Sequence, residues 1–383
     1  MDKIIERLLK PPLTSFFLFG QRGCGKSTWL KQHFKSAKYI NLLDESKYQA
    51  FLANPSLFFS EAAAVSSGGW VAVDEIQRLP QLLNEVHRLI EDHKLKFALT
   101  GSSARQLKRS GVNLLAGRAI RKQMYPLTPM ELEGDFNLFD ALQFGTLPLV
   151  LNSPEKKQTL MSYVQLYLKE EIQAEALVRN LAGFSRFLPV AALFHGQTVN
   201  ISNIARDAEV KRPTVQGFFE ILEDTLLIRR LNAFESNLRV RERKLSKFYW
   251  FDAGVVRAAR KNLSVPNELE IGSLFEGFIH MLLCFQQDTF SEIDELFYWS
   301  PAETKKVEVD FLVKKGDEYI AIEVKSVSKI RPEYFKGLKA IQALKGLKRQ
   351  VLVYLGEEKM FYDKSIEVLP FSDFVRELKT KRI

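Results

Sequence analysis

Two sets of residues in this 383-residue chain are of types and spacings that act on phosphates. The first is "GQRGCGKST": Gly20, Gln21, Arg22, Gly23, Cys24, Gly25, Lys26, Ser27 and Thr28. Its first eight residues fit G-x-x-x-x-G-K-[ST]. The glycines let the backbone curl so that its N–H groups face phosphate oxygens. Lys26 then reaches the β- and γ-phosphates, and the Ser27 hydroxyl binds Mg²⁺. The second set lies in "EVDFLVKKGDEYIAIEVK", residues 308–325, which reads as two alternating strands around a tight turn. Residues two apart share a strand face, so Glu323 and Lys325 point together. The partner strand brings Asp310 beside them. Glu276, embedded in the apolar helix "GSLFEGFIHMLLCF", joins this set. Carboxylates gathered so closely repel, and desolvation adds to the cost; a divalent cation relieves both. Asp310 and Glu323 are the expected oxygen ligands of Mg²⁺ or Mn²⁺, with Glu276 supporting metal or water. Lys325 orients the water or stabilises charge developing on a phosphate.

The phosphate loop needs partners, and the sequence supplies them. "GGWVAVDEIQRLP" holds a continuous apolar run that predicts a strand buried on both faces. Asp74 and Glu75 follow at its carboxyl end, where ligands bind in open α/β sheets. Asp74 is expected to hold Mg²⁺, directly or through water, and Glu75 to polarise the attacking water. In "LKFALTGSSARQL" Thr100 ends another short strand, within reach of the γ-phosphate or the water. Arg118, in "NLLAGRAI", is the candidate for completing the charge clamp, in cis or from a neighbouring subunit, with Arg22, Arg78, Arg105 and Arg121 as competitors.

The positioning elements follow from the pattern. Strands near 15–19, 39–43, 70–73 and 97–100 alternate with helical segments, which predicts a parallel sheet with right-handed crossovers over residues 1–150. Residues 151–245 read as helices leading into a helix-turn-helix with a wing. Ser202 is the expected N-cap of its first helix. Lys211, Arg212, Thr214 and Gln216 begin its second helix, where DNA contacts are usually made. Between Arg229 and Lys247 stand Arg229, Arg230, Arg239, Arg241, Arg243, Lys244 and Lys247 against Glu235 and Glu242. A basic wing suits a phosphate backbone. The competing reading is a winged helix used for protein packing, its charges merely solvated. Residues 246–383 run helix, hairpin, helix, strand, which is an α/β core.

Bulk composition narrows the classes. At 46% hydrophobic and 26% charged residues, the chain is that of a globular protein. Its net charge of +9 favours a polyanionic partner, though the excess is spread thinly. Two cysteines, Cys24 and Cys284, fit a reducing cytoplasm and exclude a disulfide scaffold. No stretch approaches the roughly 20 apolar residues of a membrane span.

Taken together, the motifs resemble those of the bacterial and archaeal AAA-type ATPases related to the STAND NTPases, whose C-terminal domain has a restriction-endonuclease-like PD-(D/E)xK core. "GQRGCGKSTWL" resembles the family's phosphate loop, "VAVDEIQRLP" its Mg²⁺ strand and "LTGSSARQL" its sensor strand. "LAGR" and "PLTPMELE" are similar to the stretch that closes the ATPase, and "FGTLPLV" to its G-x-x-P turn. "KFYWFDAGVVRA", "GSLFEGFI", "VEVDFLV" and "AIEVK" are similar to the C-terminal domain's signatures. The resemblance implies ATP binding at Gly25, Lys26, Ser27 and Thr28, a catalytic Asp74–Glu75 pair, and a nuclease-type set at Glu276, Asp310, Glu323 and Lys325.

Two functions of different class are compatible with these residues. One is an ATP-hydrolysing enzyme acting on DNA, with a metal-dependent nuclease as its second chemistry. The other is a nucleotide-controlled switch or scaffold, possible homo-oligomer included, whose nuclease-like fold binds nucleic acid or a protein without cutting.

Overall fold

A computed structural model describes residues 4–102, 115–167, 181–235, 245–301 and 307–383. Arg239, Arg241, Arg243 and Lys244 lie outside the described residues, as does Arg105.

Five strands build the first sheet: β1 (Phe16–Phe19), β2 (Lys38–Asn41), β3 (Trp70–Asp74), β4 (Lys96–Gly101) and β5 (Ile120–Gln123). Their order is β2-β3-β4-β1-β5, all parallel. β1 and the Val71–Val73 run are buried throughout, because helices cover both faces. The four expected strands are present with small shifts at their ends. β5 is an addition. Its sequence, Ile-Arg-Lys-Gln, is polar because it is an edge strand with exposed residues.

The middle of the chain runs β6 (Gln197–Thr198), helix Ile201–Asp207, helix Arg212–Asp224, β7 (Ile228–Ala233) and β8 (Lys247–Trp250). β8 pairs antiparallel with both β6 and β7. Val215, Phe218, Phe219 and Leu222 recur at helical spacing and are buried. Phe218 and Phe219 meet Phe187 edge-on or tilted, with centroids 5.2 Å apart. The first helix begins two residues earlier than expected. Asn200, not Ser202, is its cap, accepting from the Ser202 N–H at 3.0 Å. Asparagine and serine are equally good caps, so the choice falls to whichever residue holds the extended backbone before the turn.

The last third contributes β9 (Glu295–Trp299), β10 (Val309–Lys315), β11 (Glu318–Lys325), β12 (Leu347–Tyr354), β13 (Met360–Tyr362) and β14 (Ile366–Pro370). β10 and β11 form the expected hairpin, with Gly316 at φ 58° in its turn. β11, β12 and β14 are parallel. Helix Glu268–Phe290 lies against this sheet, its Phe275 to Phe285 stretch almost wholly buried.

The expected boundary at 245/246 does not separate two units. β7 pairs with β8 on one side and, through Asn232 and Ala233, in parallel with β9 on the other. The result is one nine-stranded sheet, β13-β14-β12-β11-β10-β9-β7-β8-β6. A cut at 245 would leave the ladder bonds of β7 and β8 unmade. No helix among the described residues is long and apolar enough to cross a membrane.

Candidate functional site

Parallel packing puts the carboxyl ends of β1, β3 and β4 at one edge of the first sheet. The loop from Gly20 to Gly25 leaves β1 there and enters helix Lys26–His33. Gly23 and Gly25 hold φ of 80° and 96°, values that need glycine. Lys26 is buried, and its ammonium donates to the carbonyls of Gly20 at 2.7 Å and Gln21 at 3.2 Å. It has no carboxylate partner in these contacts. An anion held by the loop would therefore find an unneutralised lysine beside the helix N-terminus, with the Ser27 hydroxyl following.

Asp74 is buried at the end of β3, with both carboxylate oxygens engaged. Tyr39 donates its hydroxyl to Oδ2 at 2.6 Å, and Thr100 donates to Oδ1. Burial, and then the bond to Asp74, raise the Tyr39 pKa, so its hydroxyl stays a donor. The Thr100 oxygen also accepts the Glu75 N–H at 3.1 Å. Thr100 thus holds the two acids in place; its hydroxyl is already committed and does not reach outward as expected. Glu75 adopts φ 62°, a left-handed conformation uncommon for a residue with a side chain. Gln77 donates to its carboxylate and to Ser102 Oγ. The sequence did not single out Tyr39 or Gln77 as partners of these acids: Tyr39 sits on β2, and Gln77 in the single helical turn Ile76–Arg78.

Arg118 is displaced from its expected role in cis. It lies two residues before β5, whose Ile120 pairs with Phe16 at the start of β1. That is the sheet's amino edge, opposite the phosphate loop. Its guanidinium is ion-paired with Glu91. Of the competitors, Arg78 bonds the Leu42 carbonyl and pairs with Glu45 at 3.2 Å.

A cavity of ≈ 500 Å³ opens beside the loop, lined among others by Ile4, Gly25, Thr28, Trp29, Leu127 and Pro148. Its apolar walls and its contact with Gly25 suit a flat base attached to phosphates. Pro148 belongs to the G-x-x-P turn. Leu149, next to it, covers Gly23 so closely that an added Cβ would sit 3.0 Å from the leucine Cβ.

The second acidic group is assembled by the hairpin. The register Phe311↔Ile322 sets Asp310 opposite Glu323. Both side chains are 8% exposed, and Lys325 reaches both: 2.6 Å to Glu323 Oε1 and 3.9 Å to Asp310 Oδ2. Asp310 Oδ2 also accepts the Val324 N–H at 2.8 Å. The two carboxylates therefore converge on one side. Glu323 Oε2 is buried without a partner. Burial, then the neighbouring Asp310, push the Glu323 pKa well above the carboxylate range. An orphaned buried carboxylate oxygen beside a second carboxylate is a donor set that fits a hard divalent cation.

Glu276 joins from helix Glu268–Phe290. Burial raises its pKa to about 7 against the pull of Lys247. Glu308, which the sequence reading did not assign to the site, and Lys247, which it counted in the basic wing, belong here too. Oxygens of Glu276, Glu308 and Asp310 lie within 4.8 Å of one another. Lys247 pairs with Glu276 at 3.2 Å and with Glu308. The signal for Glu308 was its place two residues before Asp310; for Lys247 it was one charge at the head of the aromatic strand "KFYW".

The fold and loop define the class. Residues 14–133 match a family model described as an AAA domain. This part of the chain is an AAA-type ATPase domain with the α/β P-loop fold. Residues 135–266 and 271–374 match two models, each described as a domain of unknown function (DUF8612 and DUF4143). The second match ends at 266 and the third begins at 271, and the β7–β9 pairing carries one sheet across that stretch. An uncharacterized protein of Mycobacterium tuberculosis is 24% identical over 363 residues, 92% of this chain and 79% of that protein. An uncharacterized protein of Methanocaldococcus jannaschii is 25% identical over 395 residues, 92% of this chain and 86% of that protein. Among solved structures, the Walker-type ATPase of Pyrococcus abyssi aligns at 19% identity with a TM-score of 0.40, covering 64% of this chain and 90% of that one.

Proposed function

We propose that the protein binds and hydrolyses ATP with Mg²⁺ at the phosphate loop, and acts on DNA through a metal-dependent nuclease-like C-terminal region. The observation that carries the second half is the convergence of Asp310, Glu323 and Lys325, with Glu323 Oε2 buried and unpartnered. A divalent cation on those two carboxylates would supply Lewis-acid activation of water and charge relief at the phosphate. Lys325 holds its positive charge firmly, since the two acids outweigh burial. It would orient that water or meet the developing charge. In the ATPase, Lys26 would exchange its two backbone carbonyls for phosphate oxygens, and Asp74, fixed by Tyr39 and Thr100, would hold a metal-bound water. Glu75 would polarise the attacking water.

The order β6, helix, helix, β7, β8 supports the winged-helix reading of the middle region. Lys211, Arg212 and Gln216 are exposed at the start of its second helix and Thr214 is half-buried there, so the end is open to a phosphate backbone.

A second reading is a nucleotide-controlled switch that binds DNA without cutting. The observation favouring it is that Asp310 and Glu323 are almost closed to solvent, while a scissile phosphate must reach them.

One experiment separates the two. The full chain is incubated with single-stranded, branched and duplex DNA, Mg²⁺ or Mn²⁺, with and without ATP. Cleavage that survives Lys26→Ala and falls at least about a hundredfold in Asp310→Ala is the expected result. Intact DNA throughout, with ATP turnover raised by DNA, would establish the switch.

A further inference from the structure

Lys247 is the least exposed lysine in any ion pair among the described residues, at 4% of its side chain, and it stands in an acidic cluster. Its ammonium touches Glu276 and Glu308. Those two carboxylates and Asp310 have oxygens within 4.8 Å of one another, which is close enough for one ion to bridge them. Asp310 also belongs to the neighbouring group with Glu323 and Lys325. Two adjacent positions for a cation therefore share Asp310. A protein ammonium already fills one of them.

Charge makes the same point. Once a cation has drawn off their protons, four carboxylates (Glu276, Glu308, Asp310, Glu323) bring four negative charges; Lys247 and Lys325 return two. The remainder, 4 − 2 = 2, is what one divalent cation neutralises. A second ion would leave the cluster positively charged and would face the Lys247 ammonium within the same carboxylate cage. It could enter only by expelling a buried side chain that is fixed on β8 between two ladder partners. The independent sign of where the single ion sits is the buried, unpartnered Glu323 Oε2.

We propose that Lys247 takes the place of a second metal ion, so that the chain holds a single divalent cation, at Asp310 and Glu323, with the ammonium as its fixed neighbour. This rests on reading the cluster as a cation site. Glu308 then serves as the counter-ion of Lys247, not as a metal ligand. Because β8 also belongs to the sheet of β6 and β7, the middle region itself contributes this charge.

The test counts Mn²⁺ bound by the nucleotide-free full chain, from the loss of the free-ion signal in electron paramagnetic resonance. The wild-type chain should bind one ion and Asp310→Asn none. Glu308→Gln should still bind one, while Lys247→Met should bind a second. Two ions in the wild type, or an affinity lost by more than about tenfold in Glu308→Gln, would overturn the role of Lys247 while leaving the cation site standing. A single ion in a folded Lys247→Met chain would do the same. Should Lys247→Met not fold, the wild-type count and Glu308→Gln still decide. No ion in the wild type, or an ion that persists in Asp310→Asn, removes the cation site itself and the proposal with it.

Discussion

Asp252 shows how a single buried carboxylate can be read for its pH behaviour. It accepts the N–H groups of Thr146 at 2.8 Å and Val255 at 3.0 Å, capping helix Ala253–Ala259 and gripping the G-x-x-P turn. Burial raises its pKa from 3.8 to about 6, against those hydrogen bonds. The folded state therefore holds the proton more tightly than the unfolded state between these values. Stability contributed by the protonated form is present below pH 3.8 and is lost as pH rises through about 6. The loss amounts to about 3 kcal/mol. Asp252→Asn should flatten that fall relative to the wild type when urea midpoints are compared at pH 4, 5, 6 and 7. An unchanged difference across the series would show that another group carries the slope. At this scale the sequence was informative where chemistry and pattern conflict: Asp310, Glu323 and Lys325 stood out because charges interrupt an apolar hairpin. Glu308 and Lys247 did not, since a charge at a strand's end is ordinary until its partners are known.

Elements were legible in proportion to their burial. β1, β3 and β4 are continuous apolar runs, so the parallel sheet followed from them; β5 is an edge strand whose polar residues carry no such signature. The stretch expected to form a basic wing has partners elsewhere in the chain. Arg229 is tied to Asp288, Arg230 to Glu223 and Lys247 to two glutamates, so three of the seven basic residues counted there serve intramolecular contacts. Spacing cannot reveal this, because each partner lies in another element or across a turn. Among the described residues, the start of helix Arg212–Asp224 remains exposed. On the proposed reading, Lys211→Ala with Arg212→Ala should weaken duplex binding similarly for unrelated sequences. The slope of log affinity against log salt should fall in magnitude by about two, one for each lost phosphate contact. Fluorescence anisotropy at several salt concentrations measures this. An unaltered slope would move DNA away from that helix.

Over the whole molecule, the regions are joined by specific polar contacts as well as by the shared sheet. Arg229 of β7 donates to Tyr125 at 2.6 Å, Gln287 at 2.6 Å and Asp288 at 2.7 Å, linking the ATPase, the middle region and helix Glu268–Phe290. None of these links was visible in the sequence, where the partners are separated by 58 to 104 residues. A second link starts in the phosphate loop itself. Gln21 is 2% exposed, and its amide donates to the carbonyl of Leu226, in the turn between helix Arg212–Asp224 and β7. Leu226 holds φ 62°, a strained conformation for leucine that persists only under external restraint. The other amide atom, Gln21 Oε1, is buried with no partner. On the proposed reading, a triphosphate that draws the loop's N–H groups toward it shifts the Gln21 backbone and stretches the bond to Leu226. Its loss is worth about 1 kcal/mol, or roughly a fivefold rise in local opening. ATP should therefore speed hydrogen exchange by about that factor at the amides of 225–228 in the wild-type chain. In Gln21→Ala exchange there should already be fast and should not respond to ATP, while nucleotide still binds through Lys26 and Ser27. Equal responses in the two chains would show that the phosphate loop signals to the middle region by another route.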